Sequence, residues 1–271
     1  MDKIEKAMKK ALLGNAVSEG NNIPDSIESK AEQTAGIIYT QTRQHRINEE
    51  MLVQRRIVAH QQYSAEADVF KMLRTKILKK LRKNSWNNVA ITSPMPGAGK
   101  SMVAVNLAIA MAMDVNQTVL LVDMDLKSPK VHWYFDLHVK KGLRDFILAD
   151  LPLTDILVNP EFERLVVLPG RGETSESSSE LLTGPKVQQM IEEIKNRYQS
   201  RIIIFDLPSI LSSDDVLATL DYYDGLLLVL EEGGSQPDEI KKALQVLSGK
   251  NLLGTVLNKC ANLPAKVQAY D

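Results

Sequence analysis

Apolar and polar positions change rhythm twice along this chain. Residues 1–13 place Ile4, Ala7, Met8, Ala11 and Leu12 on one helical stripe, with Lys3, Lys6, Lys9 and Lys10 elsewhere around it, which predicts a short amphipathic helix. From Gly14 to about Tyr63 the pattern turns polar and loses its period, and it reads as a linker with a helix near 47–58. A new regime opens at Ser64, a helix N-cap, with Glu66 in the first turn and Phe70, Leu73, Ile77 and Leu81 at spacings of three and four.

Beyond that helix, continuous apolar runs alternate with helical patterns. The runs are 88–93, 118–123, 164–169, 201–206, 225–230 and 252–258. Unbroken rather than alternating hydrophobicity marks strands covered on both faces, the condition of a parallel sheet between helices. Helices are predicted between them at 101–113, at 185–198 with Pro185 in its first turn, and at 237–248 with Pro237 at its start and Gly249 as its stop. The expected fold is a doubly wound, mostly parallel α/β sheet flanked by helices. The expected organisation is residues 1–63 as helix and linker, 64–262 as the main domain, and 263–271 as a short tail. No internal repeat is visible, and SESSSE at 175–180 reads as a solvent loop.

Bulk properties narrow the chemistry. Among 271 residues, 33 basic side chains meet 34 acidic ones, so no global field argues for nucleic acid. The one cysteine, Cys260, excludes an internal disulfide and a multi-cysteine zinc site, as expected for a reducing cytoplasm. His45, His60, His132 and His138 have no metal-ligand spacing. No apolar run approaches the roughly 18 residues that cross a bilayer, and no signal peptide is expected.

The segment SPMPGAGKS at 93–101 follows a predicted strand and opens a predicted helix, a context in which backbone N–H groups wrap phosphates. Pro96, Gly97, Ala98, Gly99, Lys100, Ser101 and Met102 are therefore candidate ATP-binding residues. Lys100 is placed to bridge β and γ oxygens and Ser101 to offer a hydroxyl to Mg2+. Magnesium takes hard oxygen ligands, and the carboxyl ends of neighbouring strands supply Asp123 and Asp206. Asp125, two residues on, is expected to point elsewhere, as a general base toward an incoming hydroxyl. In the last strand end, NKCA at 258–261, an alanine stands where a guanine-reading aspartate would, so Asn258 is assigned to an adenine edge and ATP is preferred to GTP.

Taken together, SPMPGAGKS, LLVDMDLK and IFDLPS resemble the phosphate loop, DxDxR and DxxP motifs of bacterial tyrosine autokinases of capsule and exopolysaccharide export, relatives of the MinD and ParA P-loop ATPases. The likeness covers about residues 64–260 and extends to SSELL and NLLGTVLNK. DVFKMLRT resembles the family's subunit-contact helix, with Asp68, Lys71 and Arg74 where the family has Glu, Arg and Arg. Lys127 replaces the motif arginine, Pro94 the usual first glycine, and the tail holds Tyr270 rather than a tyrosine cluster.

The resemblance implies ATP- and Mg2+-dependent autophosphorylation with Lys100, Asp125 and Lys127 as catalytic residues, and a homo-oligomer. It also implies activation by the cytoplasmic tail of a membrane polysaccharide adaptor, hence a cytoplasmic protein at the inner face of the membrane. The alternatives are a MinD- or ParA-like positioning switch, against which Met95 stands where that group has a lysine, and a regulatory ATPase of the same fold without kinase activity.

Overall fold

The computed structural model describes residues 43–149, 151–171, 178–198 and 200–261. The amphipathic stripe at 1–13, the tail at 263–271 and Tyr270 lie outside them. Among the described residues eight strands form one sheet: β1 Arg43–Gln44, β2 Asn88–Thr92, β3 Thr118–Asp123, β4 Val158–Asn159, β5 Leu165–Leu168, β6 Arg201–Asp206, β7 Gly225–Glu231 and β8 Leu252–Asn258. Their spatial order is β1-β4-β5-β3-β6-β2-β7-β8. Every pairing is parallel except β4 with β5. The six apolar runs are thus strands within a residue or two of their expected ends, and the two-residue strands β1 and β4 are additions.

Alternate residues of each central strand enter two cores. Val89 and Ile91, Val119 and Leu121, and Ile202 and Ile204 face one; Ala90, Leu120, Val122, Ile203 and Phe205 face the other. Helix Ala65–Lys83, capped by the Ser64 hydroxyl accepting from Ala67 N–H, and helix Lys100–Ala112 cover the first face. Helix Pro185–Asn196 covers the second with Val187, Met190, Ile191 and Ile194. Apolar burial of this two-faced kind is the main term holding such a sheet.

The described end of the stretch expected to be linker, residues 47–59, packs into the first core. Helix Glu49–Gln54, shorter than anticipated, buries Leu52, and Ile57 and Ala59 are fully buried behind it. The cause is Asn106, an amide enclosed on helix Lys100–Ala112. Its Oδ1 accepts from the N–H groups of Val58 at 2.8 Å and Ala59 at 3.0 Å, and its Nδ2 donates to the Arg56 carbonyl at 3.0 Å. A polar strip is drawn into an apolar core because one buried side chain satisfies its backbone. The second departure is helix Ser178–Thr183, which takes the end of the supposed solvent loop and buries Ser178.

Candidate functional site

β2 lies between β6 and β7, so the turn that follows it emerges at the carboxyl edge of the sheet with the ends of β6 and β3 beside it. Ligands of open α/β sheets collect at such an edge. The turn is held in shape by two glycines with positive φ, Gly97 at +93° and Gly99 at +90°. At Gly99 a side chain is excluded as well, since a Cβ there would lie 2.2 Å from Asn258 Nδ2. Helix Lys100–Ala112 starts directly afterwards, and its first N–H groups have no partner within the helix, the geometry of an anion cradle. A cleft of about 560 Å³ opens in front, lined by Gly97, Lys100, Ser101, Asp125, Lys127 and Tyr134 among others.

The charges converge on Lys100. Its Nζ is 3.0 Å from Asp125 Oδ2 and 4.0 Å from Asp206 Oδ1. Burial alone would lower the pKa of this ammonium, but Asp206, Asp125 and Asp123 together hold it raised, so Lys100 stays charged. Asp125 therefore does not point away: it faces the phosphate loop, and its other oxygen accepts from Ser128 N–H at 2.9 Å.

The two strand-end aspartates differ. Asp123 Oδ2 accepts from the N–H groups of Lys130 and Val131, both at 3.0 Å, and its Oδ1 from Asp125 N–H at 3.2 Å. It pins the loop after β3 at the same strand end that the sequence assigns to magnesium. Asp206 is fully buried, and neither of its oxygens closes a hydrogen bond of normal geometry. Burial drives its pKa up, with the Lys100 ammonium and the Ser101 hydroxyl pulling the other way. Asp123 is raised by burial and by the neighbouring Asp206, against the backbone donor at Val131. A buried carboxylate without a donor, next to the Ser101 hydroxyl and a glycine cradle, fits a hard divalent cation carried with phosphate. Among the described residues no cluster of three or more His, Cys, Asp or Glu is placed to hold a metal ion.

Asn258 Nδ2 donates to the Ala98 carbonyl at 2.8 Å, bracing the cradle from the end of β8. Met102 turns its sulfur to Asn106 Nδ2 at 3.2 Å, so its side chain serves the core and only its backbone stands at the cradle. Arg74 donates to the Ala110 carbonyl at 2.9 Å, an internal helix-to-helix tie, while Lys71 pairs with Asp68 at 2.9 Å on the surface.

The pairing of Lys127 with Asp214, Asp215 and the SSELL segment is not anticipated from the sequence. Lys127, at the rim of the cleft, lies 3.4 Å from Asp214 Oδ1 and 3.6 Å from Asp215 Oδ1. Asp215 is buried and takes the Ser178 hydroxyl at 2.7 and 2.8 Å, and Ser179 binds Asp214 at 2.7 Å. The SSELL match was the available signal. What it lacked was the spatial closure that brings residues 127, 178 and 215 together.

Comparison with known proteins adds independent weight. The AAA-domain family matches residues 87–229. The tyrosine-protein kinase YwqD of Bacillus subtilis (strain 168) is 30% identical over 209 residues, covering 76% of this chain and 86% of that protein. Among solved structures, the chimerical protein CapA2B2 superposes with a TM-score of 0.70 at 28% identity, over 87% of this chain and 99% of that one. The septum site-determining protein MinD of Pyrococcus horikoshii OT3, solved with Mg-ADP, gives a TM-score of 0.53 at 26% identity over 63% of this chain and 69% of that one.

Proposed function

This chain belongs to the AAA-domain family and, within it, to the bacterial tyrosine-protein kinases of capsule and exopolysaccharide synthesis, and from that membership we propose that it transfers the γ-phosphoryl group of ATP to tyrosine, on a second copy of itself or on a partner, and thereby regulates polysaccharide polymerisation and export. The observation that carries the reading is the Lys100 ammonium set 3.0 Å from Asp125 and 4.0 Å from Asp206 at the mouth of a glycine cradle.

Phosphoryl transfer needs positioning and neutralisation of charge more than covalent help from the protein. The cradle N–H groups and Lys100 hold the terminal phosphates, while Ser101 and Asp206 are the residues suited to hold magnesium. Magnesium, when bound, neutralises charge on the β and γ oxygens. Asp125, already at the cleft wall, accepts the proton of an entering phenol at Oδ1 or Oδ2, and Lys127 steadies the transferring group from the opposite rim. Because Lys127 ends in a single ammonium where the family has a guanidinium, it contributes charge without a bidentate fork.

Among the described residues no helix is long and apolar enough to cross a membrane. Attachment at the inner face of the membrane through the cytoplasmic tail of a membrane adaptor accords with the resemblance. The deciding experiment incubates purified chain with ATP and magnesium, with and without such a tail, and reads intact mass. Phosphotyrosine is expected, and Lys100→Met is expected to abolish it; an unchanged mass under both conditions overturns the kinase reading and leaves a regulatory ATPase.

A further inference from the structure

Resting on the kinase reading above, we propose that Tyr63 is a phosphoacceptor, its phenol entering the phosphate-loop cleft of a second copy while the acidic turn that follows it meets that cleft's lysine rim. Of the five tyrosines among the described residues, four are already committed. Tyr134 lines the cleft of its own chain and stacks edge-on against Trp133, with ring centroids 5.0 Å apart. Tyr222 donates to the Leu182 carbonyl at 3.2 Å and Tyr223 to Thr219 Oγ1 at 3.0 Å. Tyr198 lies beneath the Arg201 guanidinium, 4.2 Å from its ring centre. Tyr63 alone of the five stands clear: it is 99% exposed, with no hydrogen bond or ring contact to a described residue.

An aromatic ring held wholly in water at the entrance of a helix gains nothing from its own fold, and a transferable phenol must be able to leave its own surface and enter another cleft. The residues after it make the charge match. Glu66 and Asp68 sit exposed in the first turn of helix Ala65–Lys83. Across the cleft, Lys130 is exposed and pairs with no carboxylate among the described residues, while the exposed Lys127 beside it already faces Asp214 and Asp215, so Lys130 supplies the unmatched charge. Trp133 beside them exposes 48% of its surface, an apolar wall for an incoming ring. Opposed charges of this kind set orientation and encounter rate.

In the transfer, the Tyr63 oxygen bonds to the γ-phosphorus as the bond from that phosphorus to the β–γ bridging oxygen breaks. ADP departs with the electron pair, and the phenolic proton passes to the Asp125 carboxylate.

The test mixes full-length active chain with full-length Lys100→Met chain as acceptor, adds ATP and magnesium, and maps phosphotyrosine by peptide mass. Label on Tyr63 of the Lys100→Met copy, lost in Lys100→Met/Tyr63→Phe, is the expected result. Tyr63→Phe on the active chain leaves phosphorylation of an added Glu/Tyr copolymer unchanged. A second readout needs no turnover: in a Cys260→Ser background, Tyr63→Cys chain and Lys130→Cys chain are mixed under mild oxidation, and a mixed disulfide dimer is expected well above either chain alone. Label confined to other tyrosines, or copolymer phosphorylated while the chain stays unlabelled, overturns the assignment of Tyr63 and leaves the kinase reading standing. Failure to label either overturns both. A mixed dimer no more abundant than the single-chain controls overturns the docking.

Discussion

Asp206 carries a fully buried carboxylate at the carboxyl end of β6 with neither oxygen closing a hydrogen bond of normal geometry, and its pKa is pushed up to about 6, mainly by burial. Since the folded state holds this proton more tightly than the unfolded chain, the group costs nothing below its ordinary carboxylate range. It destabilises increasingly as pH climbs through the window up to about 6, and fully above that. The nucleotide-free chain should therefore lose part of its thermal stability as pH rises from about 4 to about 6 in melts, and Asp206→Asn should flatten that slope. The same variant should abolish the magnesium-dependent rise in melting temperature with ATP, whereas Asp125→Asn keeps most of that rise and mainly lowers kcat. The opposite order would exchange the two roles. At this scale the motif residues could be read directly from the chain, because a glycine, a lysine and strand-ending aspartates are each fixed by local chemistry. The division of labour between Asp123 and Asp206 could not, since it depends on which backbone N–H groups fold back onto which oxygen.

At the scale of elements, the short helix Ser178–Thr183 acts on the cleft without lining it. Ser178 donates to both oxygens of Asp215, and Asp215 with Asp214 holds Lys127 in place. Asp215→Asn should leave the KM for ATP nearly unchanged and lower kcat roughly tenfold, about 1.4 kcal/mol of transition-state stabilisation. Steady-state kinetics decide it: a rise in KM at constant kcat would make Asp215 a ground-state binding residue instead. Strands announced themselves in the sequence because six unbroken apolar runs permit little else in a helix-covered sheet. The two-residue strands β1 and β4 were silent, for a pair of residues carries no periodicity.

At the scale of the molecule, the described stretch 49–59 is part of the packed structure. Leu52 is 1% exposed and Ile57 and Ala59 are fully buried, with Asn106 satisfying the backbone they hang from. Leu52→Ala should destabilise the chain by about 2–5 kcal/mol in denaturant unfolding, the range for truncating an enclosed leucine. A loss within the scatter of surface substitutions would mean that this segment rests on the sheet without supporting it. The sequence predicts a helix near 47–58 but not its docking, because the Asn106 amide that draws the stretch in lies 47 residues beyond Ala59 along the chain.

Among the described residues the outer strand β8 pairs only with β7, and its last residue, Asn258, clasps the Ala98 carbonyl. The polypeptide leaves the sheet within three residues of that clasp, at Ala261, whose N–H is caught by Glu232 at 2.8 Å. The end of β8 and the glycine cradle are thus joined through one side-chain amide, so a displacement of that strand end would be handed directly to the turn at Ala98.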